Sequence, residues 1–313
     1  MNDSTDAGAD SGAKRAGQYR SIFRGDLFEG RRIIVTGGGS GIGRCIAHEL
    51  ASLGAAVSLI GRSIEKLQTV RDEIAAAGHT PPSVHTCDIR VEPQVETVVR
   101  EVCALGSPIR GLVNNAGGQF RAPLRDISAN GWDAVVRNNL TGGFLFAREC
   151  FRASMEAHGG AIVSVLANMW QSMPGMGHSG AARAGLLNFT QTAALEWAHA
   201  GVRVNAVAPG LIASSGLDTY PASFRPTMLQ QRDWIPLQRA GTESEVSSAV
   251  VYLLSEGAAF VTGTCIRIDG GEPNRRVDWT VPPHRRSRPY HGLPENRQGS
   301  WLDRGSPHAD EAG

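Results

Sequence analysis

Lysine is nearly absent. In a chain of 313 residues with 31 basic side chains, only Lys14 and Lys66 are lysines. Tyrosine is scarce as well, at Tyr19, Tyr220, Tyr252 and Tyr290. Chemistry that needs either side chain therefore has very few positions to draw on. No apolar run approaches the length of a membrane span. Charge of one sign is missing too: 31 basic against 30 acidic residues leave a formal net charge of +1. That balance argues against a nucleic-acid partner, which would call for a basic field. The five cysteines, Cys45, Cys87, Cys103, Cys150 and Cys265, are odd in number and widely spaced. They form no CxxC and no Cys/His pairing, so neither a disulfide framework nor a metal site is expected. Reduced thiols point to the cytoplasm. The first residues are small and polar, without the apolar segment of a secretory signal.

What is present is ordinary for a globular protein, 41% hydrophobic and 19% charged. A chain of this length buries enough surface to fold without staples. Residues 1–20 have almost nothing to bury and read as a disordered tail. From about residue 31, short apolar runs alternate with amphipathic stretches. Strands are expected at residues 32–36, 56–60, 84–87, 111–114, 161–166, 202–207 and 264–269. Helices fall between them, including 42–53, a long one at 179–200 and one at 242–254 that opens on a capping box, Thr242 to Glu245. This alternation predicts an α/β fold, a Rossmann-type doubly wound parallel sheet in a single domain over 21–272. Residues 273–313 are Arg- and Pro-rich and read as a C-terminal extension.

The first strand runs into Gly37-Gly38-Gly39-Ser40-Gly41-Ile42-Gly43 and then a helix. A glycine cluster between a strand and a helix turns the chain tightly and lets a pyrophosphate reach backbone N–H groups at the helix start. The next strand ends at Ile60-Gly61-Arg62-Ser63. An NAD site would place an acid here for the ribose 2′-OH. Gly61 and Arg62 suit a 2′-phosphate instead, so NADP(H) is the expected cofactor. A plain structural turn and a solvated Arg62 are the competing readings.

These motifs, with Cys87-Asp88-Ile89, Asn114-Asn115-Ala116-Gly117, Asn139-Leu140-Thr141-Gly142, Pro209-Gly210 and Asp269-Gly270-Gly271, resemble the short-chain dehydrogenase/reductase family over residues 28–272. The resemblance implies a cofactor set of Thr36, Gly37, Ser40, Gly41, Ile42, Gly43, Arg62, Ser63, Asp88, Ile89, Asn115, Ala116, Gly117, Arg183, Pro209, Gly210, Ile212 and Ser214. Within it, Asp88 would meet the adenine, while Ile212 and Ser214 would hold the carboxamide. The family also implies a homodimer or homotetramer through the helices near 131–157 and 179–200. Residues 114–120 and 177–185 look most like peroxisomal-type trans-2-enoyl-CoA reductases. The whole chain is similar to a bacterial citronellol/citronellal dehydrogenase-like group. The chain ends Asp-Glu-Ala-Gly, without a peroxisomal address.

Ordinary members of that family use Tyr-x-x-x-Lys on a helix, an upstream Ser and an Asn. Here alignment puts Ser179 at the Tyr position, Arg183 at the Lys position and Leu166 at the Ser position. Only Asn139 remains. A second register one turn later reads Leu187 and Gln191. Arg183 supplies fixed charge but does not relay protons, and a serine hydroxyl is too weak an acid to replace a phenol. Fixed donors suit an oxyanion that forms during reduction of a conjugated C=C bond. Tyr220 in the substrate-covering segment and His178 beside Ser179 are the remaining proton carriers, or else a packing aromatic and a locally bonded helix-start residue. Met169, Trp170, Met173 and Met176 form an apolar strip for an acyl or isoprenoid chain, or for the core. Three readings stay open: an NADPH-dependent enoyl-thioester reductase, a dehydrogenase of an acyclic terpenoid alcohol, and a dinucleotide-binding protein without turnover.

Overall fold

The structure, a computed structural model, describes residues 18–219, 222–276 and 278–293. β1 (Arg32–Thr36) is fully buried, and four of its five residues, Ile33 to Thr36, are β-branched, as suits a central parallel strand. α1 (Gly41–Ser52) follows, and Gly54 stops it with φ +86. β2 (Ala56–Gly61) leads to α2 (Ile64–Ala76), where the Ser63 hydroxyl accepts from the Lys66 N–H at 3.4 Å. β3 (Ser83–Thr86), α3 (Glu92–Cys103) and β4 (Ile109–Asn114) continue the alternation.

The next helical stretch is broken twice. α4 (Ala129–Val136) passes through a π-turn at Arg137–Thr141 into α5 (Gly142–Cys150). A second π-turn at Phe151–Met155 precedes the short α6 (Glu156–His158). β5 (Gly160–Val165), the 20-residue α7 (Gly177–Glu196) and β6 (Val202–Pro209) come next. β7 (Ile212–Ala213) pairs in parallel with β8 (Gly241–Thr242), and α8 (Arg225–Trp234) lies between them. α9 (Glu243–Leu254) opens on the expected capping box. The Glu245 N–H donates to Thr242 Oγ1 at 3.2 Å, and the Thr242 N–H to Glu245 Oε2 at 2.9 Å. β9 (Cys265–Ile268) completes the sheet.

The main sheet has seven parallel strands in the order β3-β2-β1-β4-β5-β6-β9. Strand side chains alternate between faces, so Ile33 and Val35 join one core with α1 and α9, and Ile34 joins the other with Val98, Val99 and Phe146. The order reverses between β1 and β4, and this reversal opens a crevice at the carboxyl ends of the strands. Among the described residues no helix is long and apolar enough to cross a membrane.

Several expectations change. Tyr19, expected in a tail, is buried, and its hydroxyl donates to Glu49 Oε2 at 3.0 Å. Residues 278–293 of the expected C-terminal extension lie against the domain. The Arg20 N–H donates to the Gly292 carbonyl at 2.8 Å, and Leu293 is buried with Tyr19 and Cys45. Thr242 Oγ1 donates to the Tyr290 carbonyl at 2.6 Å, so this second expected tail tyrosine is anchored as well. Tyr252, within the apolar α9, lies on its outer face at 36% exposure. Of the residues expected on an assembly face, Val135 and Phe146 are buried within the chain, whereas Leu195 is 81% exposed.

Candidate functional site

The cleft lies where the sheet order reverses. Its volume is about 1180 Å³, and its walls come from the glycine turn, the ends of β2, β4, β5 and β6, and α8. The turn is built for close approach. Gly37 has φ +66, and a side chain at Gly43 would fall 2.3 Å from the Gly37 carbonyl and 2.4 Å from Asn115 Nδ2. Asn115 ties the turn together: Nδ2 donates to the carbonyls of Thr36 and Gly37 at 3.0 and 3.2 Å. Thr36 Oγ1 accepts from the N–H groups of Asn115 and Ala116, both at 3.0 Å. Ser40 stands at the N-cap of α1 without capping it, which leaves the first-turn N–H groups facing the cleft.

This cradle fits the pyrophosphate of a dinucleotide. Gly37, Ser40, Gly41, Ile42, Ala116, Gly117, Pro209, Gly210, Ile212 and Ser214 line the cleft, as do Ile89, Arg62 and Ser63. Lys66 stands beside Arg62, a cation absent from the expected set. Thr36, Gly43 and Asn115 Nδ2 act from behind the loop. Asp88 is occupied: Arg90 binds it through both oxygens at 2.6–3.1 Å. That bond lowers the Asp88 carboxyl to about 2, and the residue faces a neighbouring hollow with Arg137.

Two of the catalytic candidates, Asn139 and Arg183, meet around Gly117 and Gly118. Asn139 sits in the first π-turn, buried. Its Oδ1 accepts from the Gly118 N–H at 3.2 Å, and its Nδ2 donates to the carbonyls of Gly118 and Val135 at 2.7 and 2.8 Å. A side chain at Gly117 would lie 2.6 Å from Asn139 Oδ1 and 2.9 Å from Arg183 Nη2. Arg183 lines the cleft, and its Nη1 donates to the Val165 carbonyl at 2.5 Å. Its buried Nε has no hydrogen-bond partner among the described residues. Burial lowers the guanidinium to about 10, so it stays charged at neutral pH.

Ser179 and His178 stand behind this layer, both fully buried and neither in the cleft wall. The Ser179 hydroxyl donates to Gln119 Oε1 at 2.5 Å, and Gln119 is in the wall. His178 Nδ1 accepts from the Ser179 N–H at 2.8 Å, and its ring meets Phe120 edge-on at 4.5 Å. The ring is therefore closed off from the cleft. Tyr220 lies outside the described residues. Leu166 is buried at the cleft floor, where the family's serine was expected. The apolar strip divides: Met173 and Met176 line the cleft, while Trp170 is 42% exposed beneath Arg267.

The polar wall residues that sequence reasoning missed include Gln119, Asn168, Gln231 and Glu272. Gln119 lies within a motif that drew attention for its glycines, and the other three come from segments without a motif. Glu272 accepts from Asn168 Nδ2 at 3.0 Å and from Gln231 Nε2 at 2.9 Å.

The family described as Enoyl-(Acyl carrier protein) reductase matches residues 37–272. The chain is similar to a probable 2,4-dienoyl-CoA reductase (2E-enoyl-CoA-producing) of Bacillus subtilis, 33% identical over 247 residues, 78% of this chain and 97% of the relative. Its fold is similar to that of a citronellol catabolism dehydrogenase (AtuB) of Pseudomonas aeruginosa PAO1. That likeness has 57% identity and a TM-score of 0.73, covering 81% of this chain and 99% of the other. A putative NAD(P)-dependent gluconate 5-dehydrogenase from Beutenbergia cavernae with bound NADP is 32% identical. Its TM-score is 0.73, covering 80% of this chain and all of the other. Cradle, sheet order and family match agree, and the chain is an oxidoreductase that belongs to the short-chain dehydrogenase/reductase family.

Proposed function

We propose that the chain is an NADP(H)-dependent reductase of an α,β-unsaturated acyl thioester. The observation that carries this reading is the bond from Ser179 to Gln119. It spends the hydroxyl on orienting an amide, so the wall near Asn139 offers fixed donors and a fixed charge. NADPH, when bound, supplies a hydride to the β-carbon. As charge develops on the thioester oxygen, Gln119 Nε2 donates to it and Arg183 lowers its energy. Such preorganised donors are worth about 2.7–4 kcal/mol each. Water then protonates the α-carbon. Arg183 also holds ribose hydroxyls in place of the family's lysine. Arg62, with Ser63 and Lys66, receives a 2′-phosphate. Met173 and Met176 accept the acyl chain.

A second reading, oxidation of an acyclic terpenoid alcohol, is favoured by the 57% identity to the citronellol catabolism dehydrogenase. That reaction must remove a hydroxyl proton; among the described residues the cleft wall holds no His or Tyr, so this reading rests on Tyr220, which lies outside them. The test follows NADPH absorbance in both directions. Oxidation of NADPH with 2,4-dienoyl-CoA or branched enoyl-CoA, without NADP⁺ reduction by citronellol, supports the first reading. The opposite pattern replaces it with the second. Tight NADPH binding without turnover of either substrate leaves a dinucleotide-binding protein.

A further inference from the structure

We propose that Glu272 is a positioning residue that sets the width of the substrate end of the cleft, by joining Gln231 of α8 to Asn168 at the end of β5. The inference rests on this cleft being the substrate site of the reading above.

α8 is weakly held by apolar contact. Met228 is its one buried side chain, in a small satellite cluster with Leu211, Ile235 and Ala240 that is separate from the two sheet cores. Its cleft side carries Gln231 and Trp234. A wall with so little apolar anchorage opens at low cost unless polar bonds close it. Glu272 supplies such bonds to both sides at once. One oxygen takes the amide of Gln231 at 2.9 Å, and the other takes the amide of Asn168 at 3.0 Å. Both donors are neutral and the acceptor is an anion, which makes these bonds stronger than amide–amide ones.

The backbone delivers Glu272 to this position by a forced path. Gly270 and Gly271 have φ +63 and +85, and a side chain at Gly270 would fall 2.5 Å from Ile235 Cγ2. Residues 235–238 therefore press directly on the turn that carries Glu272. Gln238 holds that segment in place with φ +54, uncommon for a residue other than glycine. Its Oε1 accepts from the His284 N–H at 2.6 Å, and its Nε2 donates to the Pro282 carbonyl at 3.2 Å. His284 Nε2 lies 2.9 Å from the Pro236 carbonyl. The segment around residue 284, beyond the family match, thus braces the catch from outside.

The test compares Glu272→Ala and Glu272→Gln with wild type. Hydrogen exchange is read at residues 225–234, NADPH affinity by fluorescence, and KM and kcat with 2,4-dienoyl-CoA. Glu272→Ala is expected to speed exchange across 225–234 several-fold and leave the sheet strands unchanged. It should raise KM about fivefold or more, with kcat and NADPH affinity near wild type. Glu272→Gln is expected to recover most of the protection. Asn168 Oδ1, buried without a partner among the described residues, can turn to accept from the new amide. Unchanged exchange at 225–234, or unchanged KM, overturns the proposal. Faster exchange spread through the sheet, or a glutamine variant as damaged as alanine, overturns it too. If the wild type does not turn over the thioester, the functional reading fails while the exchange measurements still decide the catch.

Discussion

Ser179 and Gln119 form a donor–acceptor pair in which the serine, fully buried, faces the glutamine and the glutamine faces the cleft. In the proposed reading, Ser179 holds Oε1 and an amide N–H of Gln119 donates to the substrate oxygen. Gln119→Leu should therefore lower turnover on the order of 10²–10³-fold, as removal of an oxyanion donor does. Ser179→Ala should cost only about tenfold, because it loosens the amide without removing it. The double variant should be no worse than Gln119→Leu, which steady-state kinetics on all three can check. A Ser179→Ala loss larger than that of Gln119→Leu would place the hydroxyl itself on the substrate.

Arg183 carries the fixed positive charge of the site, lowered to about 10 by burial. Turnover should stay flat from about pH 6 to about pH 9, because burial lowers the guanidinium only to about 10 and its charge persists across that range. Arg183→Ala should abolish most activity. Arg183→Lys should keep part of it, because charge remains while the fork that reaches the Val165 carbonyl is lost. A break in the pH–rate profile near 6.5 would point to a histidine in the reaction path.

Arg62 should choose the cofactor. It lines the cleft with Ser63 and Lys66 where the second strand ends, next to Gly61. Arg62→Ala should weaken NADPH binding about tenfold or more and leave NADH within about twofold, measured by fluorescence titration. An equal loss for both nucleotides contradicts the assignment.

Glu49 should make stability depend on pH. Burial raises its carboxyl above the ordinary value of 4.5, against the bonds from Ser247, Ser21 and Tyr19 that lower it. The folded state thus favours the protonated form. The stabilising contribution is complete below 4.5 and is lost as pH rises through the raised value. Glu49→Gln should remove this slope and be at least as stable as wild type near about pH 8. Urea unfolding across that range checks it, and parallel curves for the two proteins would refute it.

The sheet was legible because each of its signals is local. β1 is buried and β-branched from Ile33 to Thr36, the turn after it is rich in glycine, and Ser63 and Thr242 stand where helices begin. The cradle was legible for the same reason. Ser179 and Arg183 were found by aligning residues 182–185 with the motif of the family that the chain resembles, but alignment does not show depth. Whether Ser179 reaches the cleft depends on Gln119, 60 residues earlier in the chain. Glu272, Asn168 and Gln231 meet only through the folding of three separate segments, and no periodicity marks any of them. Tyr19 looked like part of a tail because its neighbours are polar. Its partners, Glu49 and Leu293, are distant in sequence.

The hydrogen bond from Arg20 to Gly292 places the two outermost described segments side by side over α1 and α9. The fold therefore has the layout of a closed ring with a seam at this point. A short linker from residue 293 to residue 18, with new ends cut into the exposed turn at Leu105-Gly106, would give a circularly permuted chain with the same strand order and the same cleft. The seam is also where the chain gives way as a pair: pulling Leu293 out of its site uncovers Tyr19, so the two segments come loose together.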